Sequence, residues 1–124
     1  MTMGYTGWEL PEAERARLLA LFPARYACVI AHHITLEHGV PYGHPLPYPV
    51  GAEVIATVDD EAGMQALIVA LNGATDRPDG STFHITWSLE PGRHPVEANT
   101  VIHEFGWRPV EPVAIQVFPN FFFS

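Results

Sequence analysis

From Thr82 to Leu89 polar and apolar residues alternate without a break. Thr82, His84, Thr86 and Ser88 fall on one side of the alternation, and Phe83, Ile85, Trp87 and Leu89 on the other. A period of two predicts a β-strand with one face in the core and one polar face. The pattern has a shorter partner earlier in the chain. Within residues 25–37, Ile34 and Leu36 face one way while His33, Thr35 and Glu37 face the other. The triplet His-Ile-Thr therefore occurs twice, at 33–35 and at 84–86, each time with His and Thr on the polar side of a predicted strand. Two such faces suggest two strands bordering a common cleft.

The remaining pattern supplies the frame. Pro11 suits the first turn of a helix, and Glu12 and Glu14 lie where the positive end of the helix dipole favours carboxylates. Leu18, Leu19 and Phe22 form an apolar stripe and Pro23 ends it, so a helix is expected over 11–22. Ahead of it, Tyr5 to Leu10 reads as a short lead-in with Trp8 on the core. The prolines of 39–49 predict a stiff extended loop, whose Tyr42, His44 and Tyr48 could wall a cleft. Alternation over 52–58 predicts a strand, the apolar run 65–71 a buried strand, and Asn72 to Ser81 a turn-rich surface loop. Pro95 opens a second helix with the stripe Ala98, Val101, Ile102 and Phe105, which Gly106 caps. Val113, Ile115 and Val117 predict a last strand. The Phe-rich end, Phe121-Phe122-Phe123, is expected to tuck into the core, its alternative being a partner contact that would set the oligomeric state. The order is α-β-β-β-β-α-β, an α+β class with mainly antiparallel sheet.

Composition narrows this picture. A chain of 124 residues, 48% hydrophobic, is expected to form a single domain over 1–124 with a conventional core. The single Cys28 sits in an apolar run and reads as a small buried hydrophobe. No basic-then-apolar leader and no apolar run of membrane-spanning length is present, so a cytoplasmic protein without membrane contact is expected. The formal net charge is −8, and the six cations are all arginines, at 15, 17, 25, 77, 93 and 108. They form no basic stripe, which argues against a grip on extended nucleic acid. A phosphate-bearing partner would be a small molecule or an RNA terminus.

Seven histidines invite a metal reading. Strand parity, however, sends His32 to the face opposite His33, where a hydrogen-bonded core or supporting role suits it better, and no zinc-type spacing occurs. Neither metal nor cofactor is expected. Arg93 and Arg108 read as solvated surface or as counter-charges for phosphate.

The text around the two triplets resembles a known family. Residues 31–40, Ala-His-His-Ile-Thr-Leu-Glu-His-Gly-Val, and residues 84–99, His-Ile-Thr-Trp-Ser-Leu-Glu-Pro-Gly-Arg-His-Pro-Val-Glu-Ala-Asn, are similar to the paired motifs of the 2H phosphoesterase superfamily. Within it they look closest to the cyclic-phosphodiesterase domain of fungal-type tRNA ligases and to related small phage and bacterial proteins. The resemblance runs in order from about Tyr5 to Val117; Trp87 stands where a Leu is more usual.

The resemblance implies a compact fold of antiparallel sheet lobes facing a central cleft, with helices packed outside. It also implies a metal-independent hydrolase of the RNA-repair type, opening 2′,3′-cyclic phosphates on RNA ends or nucleotides to leave a 2′-phosphate. His33 and His84 would be the catalytic acid and base, in roles the sequence leaves open, and Thr35 and Thr86 would bind the phosphate. His38, Tyr42 and Tyr5 are candidate substrate contacts. An imidazole titrates near pH 6.5, so one could be neutral and the other protonated near neutrality. Two alternatives stand beside this: a 2H enzyme that cleaves cyclic oligonucleotide signals, and a binding module that holds a nucleotide without turnover.

Overall fold

The computed structural model describes residues 3–124. Its elements are β1 (Met3–Glu9), α1 (Glu12–Leu21), β2 (Cys28–Val29), β3 (His33–Pro41), β4 (Ala52–Asp59), β5 (Met64–Leu71), β6 (His84–Leu89), a 3₁₀ turn (Pro95–Glu97), α2 (Ala98–Phe105), β7 (Arg108–Ile115) and β8 (Phe118–Phe123). The strands form two antiparallel sheets, one ordered β3-β1-β8 and the other β2-β6-β5-β4-β7. The α+β expectation is met, with both expected helices within a few residues of their forecast limits. Among the described residues no helix is long and apolar enough to cross a membrane.

The continuous apolar run of β5 has its reason in position. It is the central strand of the larger sheet, and all eight of its residues are buried, so both faces must be apolar. One face, with Val54, Leu67, Val69, Ile85 and Trp87, joins Trp8 and Ile34 of the smaller sheet and Leu18 of α1 in the main core. The other face, with Ala56, Val58, Ala66 and Ile68, packs beneath Ala98, Val101 and Ile102 of α2. These are three of the four residues expected in the stripe of the second helix; the fourth, Phe105, is 59% exposed and lies outside the core, and Gly106 ends the helix with φ 71°. Trp87 is fully enclosed, and its indole N–H donates to the Phe22 carbonyl at 2.6 Å, tying β6 to the end of α1.

Three expectations need correction. The lead-in 5–10 is a full strand, β1, and the Phe-rich end is another, β8, paired alongside it with Tyr5 opposite Phe122. Both were masked by weak alternation: Gly4 and Gly7 interrupt β1, and a β-carbon on either would collide with a neighbouring carbonyl, of Phe122 or Ile34. The proposed strand 25–37 is two strands. Ile30 and Ala31 still bond to the Trp87 and Thr86 carbonyls of β6, whereas His32 accepts from the Leu10 amide and His33 pairs with Glu9. The chain changes sheets at Ala31, whose φ is 43° in the left-handed region, a backbone state unfavourable for a residue with a β-carbon. Arg15 of α1 holds this corner, its Nε donating to the Ala31 carbonyl at 2.9 Å. Cys28 is only half-buried, against the α2-side cluster.

The third correction is parity at the motif strands. In β3 the pairing slips between Thr35 and Glu37, so Leu36 is an extra residue. A bulge reverses the facing of every residue beyond it. Glu37 therefore leaves the His33/Thr35 face and pairs with His44 at 3.0 Å, while His38 joins that face. In β6 the slip falls at Trp87. Ser88 consequently turns away from Thr86 and is buried against Gln65, to whose Oε1 its hydroxyl donates at 2.6 Å. Leu89 moves to the α2 side.

Candidate functional site

The two His/Thr pairs meet. β3 is the edge of the smaller sheet nearest β6, and the two strands contact each other. His33, Thr35, His84 and Thr86 all line one cleft of about 190 Å³. Its apolar walls are Ile30, Pro95 and Val96, and its polar rim adds Tyr5, His38, Arg77 and Asn99. Clefts for whole drug-sized ligands run to roughly 300–1,000 Å³. This one has room for a phosphate and part of a sugar, and any base attached to them would project outside.

Both motif histidines spend Nδ1 on the protein. His84 Nδ1 lies 2.8 Å from the Thr82 carbonyl oxygen. A carbonyl only accepts, so His84 carries its proton on Nδ1 and leaves Nε2 free. His33 Nδ1 lies 3.0 Å from His32 Nδ1; one of the two donates and the other accepts. His32 thus supports His33 as a hydrogen-bonded neighbour, though it is exposed and not in the core.

Electrostatics favours neutral imidazoles here. Burial, followed by the neighbouring His32, His84 and His38, pushes His33 down to about 4. Burial also lowers His84, with Arg77 adding to the effect and the Thr82 carbonyl opposing it. His38 is lowered by burial and by Arg77. Protonation of one imidazole near neutrality, as expected from an unperturbed value, is therefore disfavoured while the cleft holds no anion. Burial raises the Tyr5 phenol, which remains a hydrogen-bond donor. Its ring lies 5.2 Å from both His33 and His38 and stacks on Phe122 at 5.1 Å.

Two threonine hydroxyls face this space. Thr35 makes no hydrogen bond within the described protein, and Thr86 Oγ1 reaches the Pro95 carbonyl only at 3.5 Å, the weak limit of a hydrogen bond. Both can turn to a ligand.

Not every expected contact reaches the cleft. Tyr42 is exposed, with its ring stacked on Phe123 at 5.5 Å, away from the His/Thr pairs. Tyr48 is exposed and gives its carbonyl to the Trp8 indole, and His44 pairs with Glu37. The loop 42–48 is not a wall of the site. Arg93 is committed to Asp60 and Glu97, and Arg108 lies exposed on β7.

The cation at the site is Arg77, on the 72–81 loop whose composition predicts surface. The signal was hidden in turn chemistry. Asp79 accepts from the Ser81 amide and hydroxyl, Gly80 bonds back to Arg77, and Asp76 bridges to Thr82, making a tight loop that points Arg77 inward. Asn99, part of the second motif, stands one turn into the helical segment that walls the cleft. Among the described residues no group of three or more His, Cys, Asp or Glu side chains is arranged to hold a metal ion. Comparison with known proteins found no family model, no curated protein and no solved structure that matches this chain.

Proposed function

We propose that the protein is a metal-independent phosphodiesterase of the 2H type that opens 2′,3′-cyclic phosphates on nucleotides or RNA ends. The observation that carries this is the meeting of two imidazoles, each with a free Nε2, and two uncommitted threonine hydroxyls in one phosphate-sized cleft.

Roles follow from the partners. His84 is the only one of the two whose Nδ1–H is held by a fixed acceptor, and that bond favours its protonated form. It is the general acid, giving its Nε2 proton to O3′ as the P–O3′ bond breaks. His33, held neutral by its surroundings, is the base: its Nε2 takes a proton from the water that attacks phosphorus. For this His33 must donate its Nδ1–H to His32 Nδ1, and that acceptor then steadies the imidazolium as it forms. Thr35 and Thr86 donate to the non-bridging oxygens, where charge grows in the transition state. The product is a 2′-phosphate with a free 3′-hydroxyl. A bound phosphate anion also offsets the burial that disfavours protonated His84. Each acid or base contributes on the order of 10²–10⁴-fold.

The test is turnover of a 2′,3′-cyclic mononucleotide against cyclic di- and trinucleotides, with His33→Ala and His84→Ala as controls. Opening of the cyclic mononucleotide, lost in both folded variants, supports the proposal. Wild-type turnover in either variant overturns the mechanism. Turnover of cyclic oligonucleotides alone moves the substrate to signalling molecules. Tight nucleotide binding without product makes the protein a binding module.

A further inference from the structure

Of the arginines, Arg17, Arg25 and Arg93 form close pairs with carboxylates, Arg15 is bonded to backbone carbonyls and Arg108 is exposed. Arg77 differs. Its side chain is 3% exposed, and the acidic group near it, Asp79, stands 3.4 Å from Nη2 and is itself 58% exposed. Its Nε has no hydrogen-bond partner among the described residues. A buried cation without full compensation costs stability, so a protein retains one where something else supplies the counter-charge. Arg77 also lines the same cleft as His33, Thr35, His84 and Thr86. The second buried side-chain atom without a partner among the described residues, Asn99 Oδ1, belongs to another residue of that cleft. Both deficits in polar pairing thus fall on one site, and the cation answers an anion.

We propose that Arg77 is a further phosphate-binding residue of the cleft beside Thr35 and Thr86, its guanidinium taking a non-bridging phosphoryl oxygen from the side of the 76–82 loop. A guanidinium is planar and always charged, and presents its N–H groups as a fork that fits two phosphate oxygens. The loop that carries it is closed at both ends, by the Asp76–Thr82 bridge and by the Phe83 amide bonded to the Thr75 carbonyl, so the fork is held before ligand arrives. In a chain of net charge −8, one enclosed arginine beside the histidines provides local attraction that the surface as a whole does not. The assignment rests on the phosphodiesterase proposal only for the identity of the ligand, not for the presence of an anion.

Binding of inorganic phosphate to the whole protein, followed through the His84 and His38 ring signals by NMR, tests this without turnover. Wild type should bind phosphate with both rings responding. Arg77→Met should weaken phosphate binding about 10- to 100-fold, as expected for loss of a charge-assisted hydrogen bond, and should raise the His84 pKa. Arg77→Lys keeps the charge and should recover only part of the affinity. Asp79→Asn retains the Oδ1 that accepts from Ser81 while removing the competing charge, so it should tighten phosphate binding several-fold. Arg93→Met, outside the cleft, should change nothing in binding. If Arg77→Met does not fold, Arg77→Lys and Asp79→Asn decide: wild-type phosphate affinity in both overturns the assignment, because a merely structural Arg77 predicts altered stability and unaltered binding. Arg77-dependent phosphate binding without cyclic-phosphate turnover keeps the assignment and rejects the phosphodiesterase. Turnover with wild-type KM in Arg77→Met does the reverse.

Discussion

His32 and His33 face each other through their Nδ1 atoms at 3.0 Å, although they are consecutive residues of an extended chain. Just before them the backbone turns at Ala31, whose φ is 43°. On the proposed mechanism His32 accepts the proton of His33 Nδ1 and thereby leaves His33 Nε2 basic. His32→Ala removes the acceptor. Because His32 is exposed, the thermal midpoint should hardly move, within the ±0.5 kcal/mol usual for surface substitutions. The turnover number should fall about 10- to 100-fold, the equivalent of one hydrogen bond to a group that becomes charged. His32→Gln, which can still accept, should lose less. Steady-state kinetics on the two variants makes the comparison.

Both motif imidazoles are held below their ordinary value, His33 at about 4 and His84 lowered in direction. On the proposed mechanism the base works above the pKa of His33 and the acid below that of His84. In the free enzyme kcat/KM should therefore trace a bell whose rising limb lies near pH 4 and whose falling limb lies below pH 6.5. The optimum is acidic. In kcat, measured with the anionic substrate bound, the falling limb should shift upward, because the phosphate favours protonated His84. An optimum of kcat/KM at pH 8 would contradict the roles assigned to the pair.

The same burial sets an acid limit on stability. Unfolded His33 takes a proton near pH 6.5 and folded His33 only near 4. Between these values the unfolded chain binds more protons, so stability falls as pH falls through that window and is full above it. The loss from His33 alone amounts to about 3 kcal/mol by pH 4. His84 acts in the same direction. Urea unfolding of wild type and His33→Gln at pH 7 and pH 4.5 checks this: the variant should lose distinctly less stability between the two.

Where sequence patterns were strong, the fold followed them. The α1 stripe of Leu18, the buried β5, apolar except for Gln65, and the α2 stripe of Ala98, Val101 and Ile102 all lie where the sequence pattern put them. The paired His/Thr triplets also met in space. What escaped was set by single residues that break a period. A bulge at Leu36 moved His38 into the cleft and Glu37 out of it, and a bulge at Trp87 buried Ser88. No period announces such an insertion, since its reason is the twist and pairing of the partner strand. Arg77 escaped for a related cause: a Gly/Asp/Pro-rich loop reads as surface whether its arginine points outward or inward. β8 was hidden because its residues are not alternating in polarity, although its face matters greatly to the site.

That face carries Phe122, whose ring lies 4.8 Å from His33 and 5.1 Å from Tyr5. The C-terminal strand thus forms part of the apolar surroundings that keep His33 neutral. Phe122→Ala should admit water, and since burial is the largest cause of the lowered His33 pKa, that pKa should rise toward 6.5. Half-buried Phe122 should cost about 1–2 kcal/mol of stability, less than the 3–5 kcal/mol typical of a core aromatic. Phe121→Ala is the matched control. Phe121 points to the other side of β8, against Tyr42 and Phe123, so it should reduce stability to a similar degree and leave the His33 titration where it was. If NMR titration found His33 unmoved in Phe122→Ala, or moved equally in Phe121→Ala, the strand would be a structural edge only. A shift confined to Phe122→Ala, appearing also as an upward move of the rising limb of kcat/KM, would make the C-terminal strand part of the device that tunes the base.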